Sequence, residues 1–159
     1  MTLASPPFTA EQIREATPHG YAVDLVTERS GLVVDRRRTV YLTPDQESVS
    51  IAVTALTDLD EPSGAPMVAR STWEDLRDHA VFPPDSTIVT EETIETALGR
   101  LQCTRFDVAR GDLTLVFWFC ELYPGMPIRY ATLSDGEEVE SATVVAVSRG
   151  AEAPAEDVL

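Results

Sequence analysis

Leu113-Thr114-Leu115-Val116-Phe117-Trp118-Phe119-Cys120 decides the fold of this chain. Successive side chains of a strand point to opposite faces, so a strand that buries one side alternates apolar with polar residues. Here Leu113, Leu115, Phe117 and Phe119 fall on one face, and Val116, Trp118 and Cys120 fall on the other. Both faces of this ribbon therefore need cover, from a helix, from the curl of the sheet itself, or from a ligand.

Working outward, Thr87 to Ala97 and Arg100 to Ala109 read as two preceding strands, with turns at Leu98-Gly99 and Arg110-Gly111. A two-residue loop at Arg110-Gly111 pairs Ala109 with Asp112 and sets Phe106 against Leu115 on one face. On the other face Arg105 then meets Val116, Cys103 meets Trp118 and Leu101 meets Cys120. Apolar character changes side along this hairpin, as in sheets that coil round a core or half-enclose a space. Cys103 and Cys120 fall on one face two rungs apart, roughly 7 Å between backbone positions. That separation is marginal for a disulfide, and the pair reads as two buried thiols that behave as small hydrophobes.

After the hairpin, Pro124-Gly125 predicts a type II turn, Ile128 to Leu133 a strand, and Asp135-Gly136 a turn into a strand over Val139 to Ser148. Before it, Thr9 and Gln12 form a capping-box signature, with Phe8 placed to staple onto Ile13; Pro18 and Gly20 stop this short helix. Strands follow over Tyr21 to Val26, Leu32 to Leu42 and Ser48 to Ala55, turning at Ser30-Gly31 and Thr43-Pro44-Asp45-Gln46. Met67-Val68-Ala69 reads as a brief strand. A second helix starts from Ser71 as cap, with Glu74 three residues on and Trp73, Leu76 and Ala80 at helical spacing, and Pro83-Pro84 ends it. This predicts a mainly β fold: a strongly curled antiparallel sheet, an open or half barrel, with two short helices packed on its concave side. Residues 1–7 read as a flexible lead, 8–148 as one β-rich domain and 149–159 as a disordered acidic tail.

The chain has 159 residues, 27 acidic and 12 basic, all of the basic ones Arg, for a formal net charge of −15. That balance argues against a phosphate-backbone groove and against docking on anionic membranes. No apolar run approaches the roughly 20 residues that span a bilayer. The N-terminus shows neither a basic start nor an apolar h-region, which gives the expectation of a cytoplasmic chain.

Residues able to carry chemistry are few. His19 and His79 have no metal-ligand spacing, and no Gly-x-Ser-x-Gly elbow, phosphate-cradling Gly loop or Cys-x-x-Cys occurs. No catalytic residue, metal or cofactor is therefore assigned. Glu91, Glu92 and Glu95 read as solvated edge-strand charges. Arg36-Arg37-Arg38, the one basic cluster, reads as paired with the protein's own carboxylates rather than with an external anion. The aromatic group is the candidate site: Trp118, Trp73, Tyr123 and Tyr130, with Met126, stand where they could line one apolar space. Leu76 shares the face of Trp73, and Cys103 and Cys120 share that of Trp118, so these three join the candidate ligand-binding set.

The run Glu92-Thr93-Ile94-Glu95-Thr96-Ala97-Leu98-Gly99-Arg100-Leu101-Gln102-Cys103, with Phe117-Trp118-Phe119 and Pro124-Gly125-Met126-Pro127-Ile128, resembles an uncharacterised bacterial family. The Trp73-Glu74-Asp75-Leu76-Arg77 helix and Phe82-Pro83-Pro84 fit the same pattern. The layout is similar to the half-barrels of LolA-type lipoprotein carriers, in which a bent sheet wraps short helices round a cavity that holds acyl chains. Those carriers are exported and this chain shows no export signal, so the resemblance implies the shape without the cargo. The leading expectation is a non-catalytic protein holding an apolar small molecule or an apolar segment of a protein partner. The alternatives are a small β-barrel cyclase or isomerase acting on a hydrophobic polyketide-like substrate, and a structural subunit of an assembly.

Overall fold

The two-sided strand lies inside a nine-stranded antiparallel sheet in a computed structural model that describes residues 5–149. The strands are β1 (Tyr21–Arg29), β2 (Leu32–Leu42), β3 (Ser48–Ala55), β4 (Met67–Thr72), β5 (Thr87–Thr96), β6 (Gly99–Arg110), β7 (Leu113–Cys120), β8 (Arg129–Ser134) and β9 (Glu137–Arg149). Their spatial order is β4-β3-β2-β1-β9-β8-β7-β6-β5. Two meanders are thus joined by the pairing of β1 with β9, and the sheet stays open with β4 and β5 as its edges. The tail expected over 149–159 lies outside the described residues except for Arg149, and the lead over 1–7 lies outside them up to residue 4.

This order dictates where the helices go. The chain leaves the sheet at one edge, β4, and must re-enter at the other, β5, so the connection crosses a face of the sheet. Helix α2 (Trp73–Asp78) begins that crossing. Phe82 continues it, stacked on Phe117 at 5.0 Å and tilted against Phe106 at 5.4 Å. Helix α1 (Ala10–Ala16) precedes the interior strand β1 and packs beside α2 on the same face.

Local chemistry sets the ends of these elements. Thr9 and Gln12 close the expected capping box on α1, by hydrogen bonds of 2.9 and 3.1 Å. The cap of α2 is Thr72 rather than Ser71: its hydroxyl accepts from the Asp75 N–H, and Ser71 still belongs to β4. The β6–β7 loop is Gly111-Asp112, not Arg110-Gly111. Gly111 has φ +64°, suited to the first central position of a type II′ turn. Arg110 therefore pairs with Leu113, Phe106 with Phe117, and Cys103 with Cys120 directly. The slip is two residues, so every side chain keeps its expected face.

Trp118 and Phe119 are adjacent in sequence and only 6% and 4% exposed. Phe119 faces the helices and packs edge-on to Phe8 and Phe106. Trp118 faces the other way, where Leu101, Cys103, Val116, Cys120 and Ala131 are also buried. The sheet itself covers that second side. It curls until β5 touches β9, although three strands separate them in sheet order. Glu92 on β5 reaches over β6 to Trp118 on β7, with 2.8 Å between carboxylate and indole nitrogen.

Candidate binding site

A cavity of about 240 Å³ lies between the helices and the sheet. Ile13 of α1, Leu76 of α2, and His79 and Ala80 just beyond α2 form one wall. Tyr41, Phe117, Phe119 and Tyr130 rise from the sheet opposite, and the Gly125-Met126-Pro127 turn closes a third side. That turn is pinned by backbone bonds: the Ile128 N–H donates to the Trp118 carbonyl, and the Val144 N–H to the Ile128 carbonyl, each at 2.8 Å. Tyr130 is 36% exposed and marks where the cavity meets solvent.

The lining is aromatic and aliphatic, with polar tips on Tyr41, Tyr130 and His79. Burial pushes the Tyr41 hydroxyl above its ordinary range, and the neighbouring Tyr21 adds to this. Burial also raises that of Tyr130, against an opposing pull from Arg37. Both are therefore neutral hydroxyls at physiological pH, able to donate or accept one hydrogen bond without presenting a charge. Among the described residues no group of three or more His, Cys, Asp and Glu is placed to hold a metal, and no helix is long and apolar enough to cross a membrane.

Of the residues singled out in the sequence, Leu76, Met126 and Tyr130 line this cavity. Trp73 is buried beside it and fully engaged: its indole donates to the Asp45 carbonyl at 2.8 Å, and its own N–H to the Glu47 carbonyl, tying α2 to the β2–β3 turn. Tyr123 lines a narrow neighbouring space with Tyr21, Val23 and Ile128, which shares Tyr41 and Met126 with the cavity. Cys103, Cys120 and Trp118 lie on the far face of the sheet, so they do not share a chamber with Trp73 and Met126. The sequence reading missed Ile13, Tyr41, His79, Phe117 and Phe119 as lining. Phe117 and Phe119 had the right face, and only the path of the β4–β5 connection shows that a space remains above them.

The Trp118 side of the sheet holds a different construction. The Arg105 and Arg129 guanidiniums stand 5.2 and 4.8 Å from the indole ring. Arg105 is held by Asp107 through two bonds of 2.6 and 2.9 Å and by Glu92 at 2.9 Å; Arg129 is held by Glu138. Glu92 is therefore not simply a solvated edge charge. Its carboxyl is held below the ordinary value of 4.5, first by the Trp118 N–H and then by Arg105. The folded state thus gives up that proton at lower pH than the unfolded chain. Its stabilising share is present above about pH 4.5 and is lost as pH falls through the folded-state value. Glu92→Gln keeps an acceptor but removes the charge, so the variant is expected to show a flatter decline of urea midpoint between about pH 5 and about pH 3 than wild type. Within the Arg cluster, Arg38 grips Asp24 bidentately at 2.7 and 2.9 Å, Arg37 pairs with Asp35, and Arg36 reaches Asp60 at 3.5 Å while its buried Nε has no partner.

No protein-family model matches this sequence, and no curated protein does. Solved structures do match. Two structures of MucB in complex with MucA, one from Pseudomonas aeruginosa and one holding MucA(peri), superpose with a TM-score of 0.56 at 13% identity. They cover 87% and 88% of this chain. The fold is LolA-like. At that identity the likeness shows the fold alone, and the chain spans about half the length of MucB, 54% in each case. The expectation of a cytoplasmic chain is corrected here: these neighbours, one of them solved with MucA(peri), point away from it.

Proposed function

We propose that this chain is a non-catalytic binding protein whose cavity between α1, α2 and β7 receives an apolar segment of a protein partner, or an apolar small molecule of similar girth. The observation that carries this reading is the apolar lining of Ile13, Leu76, Phe117, Phe119 and Met126, open at Tyr130 and tipped by the polar groups of Tyr41, Tyr130 and His79. Its 240 Å³ falls just below the range of about 300–1,000 Å³ common for small-molecule sites, which suits a few side chains better than a drug-sized ligand. MucB, similar in fold, was solved with a protein bound to it. A net charge of −15 would steer a segment that carries basic residues beside its apolar anchors.

Ala80→Phe tests this directly, because Ala80 is in the cavity wall and a phenyl ring fits in the volume beside it. A fluorescently labelled short apolar peptide with basic flanks, titrated into the wild-type chain, is expected to bind one to one. The variant is expected to bind it at least about tenfold more weakly, about 1.4 kcal/mol, with its thermal midpoint unchanged or raised. Equal binding by both proteins would show that the peptide does not bind in the cavity.

A second reading has support from the sheet edges. β5 exposes Ile88 and Val89, and β4 exposes Met67 and Val68, as strands do when another strand can add to them. This corresponds to the assembly-subunit alternative.

A further inference from the structure

The two cysteines lie away from the cavity, on the opposite face of the sheet, and occupy one rung of the β6–β7 ladder. Both are free and almost completely buried. The backbone decides what kind of rung it is. The Trp118 carbonyl accepts from Ile128 and the Cys120 carbonyl from Tyr123, so the backbone groups of both residues point toward the β8 side and away from β6. Cys103 and Cys120 are therefore a non-hydrogen-bonded pair, the closer of the two antiparallel types, with about 4.5 Å between Cα atoms. Disulfides occupy Cα separations of about 4.4–6.8 Å. The spacing that looked marginal with the cysteines two rungs apart falls within range once they are opposite each other.

We propose that Cys103 and Cys120 are a site of oxidative modification, joined as a cross-strand disulfide when the chain meets a disulfide oxidant. In that reaction one cysteine sulfur attacks the oxidant's S–S bond and forms a mixed disulfide. The second sulfur displaces it, so that one Sγ–Sγ bond forms within the chain and one S–S bond breaks in the oxidant. Both electrons and both thiol protons end on the two thiols released. An approach exists: a cleft of about 280 Å³ runs beside the pair, walled by Arg100, Leu101, Phe119 and Leu122. Cys120 is also the last residue of β7, where the ladder opens most readily. Burial, with Cys120 beside it, pushes the Cys103 thiol up to about 11, so oxidation of the folded chain is slow at neutral pH and quickens as pH rises. An oxidising compartment maintains such a bond and a reducing one removes it.

The test is oxidation of the full chain by oxidised glutathione, both in the folded state and during refolding from the reduced, unfolded chain. Alkylation in denaturant and intact-mass measurement follow. The expected product has lost two hydrogens, takes up no alkyl group, and melts about 5–10 °C higher than the reduced chain, because the closed hairpin restricts the unfolded state. Dithiothreitol is expected to reverse both changes. Cys103→Ala and Cys120→Ala are expected to fold and to show no such rise. Two alkylatable thiols after oxidative refolding to the native fold would overturn the proposal, and so would glutathione adducts without the internal bond. Refolding removes restricted access as an explanation for a negative result.

Discussion

Trp118→Ala is expected to lower the unfolding free energy by about 4–5 kcal/mol, the upper end of the range for deleting a buried aromatic side chain. The deletion takes more than apolar area. Trp118 is 6% exposed, donates to Glu92 and lies against two guanidiniums, so Arg105, Arg129 and Glu92 all lose a neighbour at once. A hydrogen bond to a charged acceptor is worth about 1.5–3 kcal/mol and each cation–π contact about 0.5–1. These overlap with the burial term and hold the estimate near its upper end. Trp118→Phe keeps a six-membered aromatic ring but loses the pyrrole half of the indole with its N–H, and is expected to cost about 2–4 kcal/mol. Urea unfolding followed by far-ultraviolet circular dichroism measures both. A loss under about 1 kcal/mol for the alanine variant would show that the curled sheet does not depend on this side.

Phe119→Ala is the complementary change, on the opposite side of the same ribbon. Phe119 packs against Phe8 at 6.2 Å, Phe106 at 5.6 Å and Phe117 at 6.5 Å, joining the residue that leads into the α1 cap to β6 and β7. Its removal is expected to cost about 3–5 kcal/mol, against a total of about 5–15 kcal/mol for a domain. Both variants are thus expected to lie close to unfolding at physiological temperature, measured by calorimetric or spectroscopic melting. Near-neutral behaviour of Phe119→Ala would mean that the helices do not seal this face.

The doubly apolar strand was legible because Trp118 and Phe119 are large, adjacent and forced apart by the pleat. Its consequence, a sheet that curls far enough to cover its own second face, was available from the change of side between Phe106 and Leu101. The register was legible only to within two residues, because Arg110-Gly111 and Gly111-Asp112 are both plausible loops and only the backbone of Gly111 distinguishes them. The site was harder to read. Leu76, Met126 and Tyr130 carry a local signal as apolar or amphipathic residues near turns and helices. Trp118 and Trp73 carry a stronger one, and it misleads: each indole N–H is satisfied by a partner remote in sequence, Glu92 for one and Asp45 for the other. Pairing by alternation says which face a residue takes, but not what crosses that face. The route of the β4–β5 connection, which places Leu76 and Ala80 above Phe117 and Phe119, is a property of strand order.

The space beneath α1 and α2 is proposed as a binding chamber. Methyl nuclear magnetic resonance on the intact chain reports on this space, with a short apolar peptide bearing basic flanks as probe and a medium-chain alcohol as comparison. Saturable shifts are expected at Ile13, Leu76 and Met126, with Ile88, Val89 and Val68 at the sheet edges unmoved. Shifts confined to the edge methyls would favour strand pairing, and neither these nor an absence of any shift is compatible with a binding chamber.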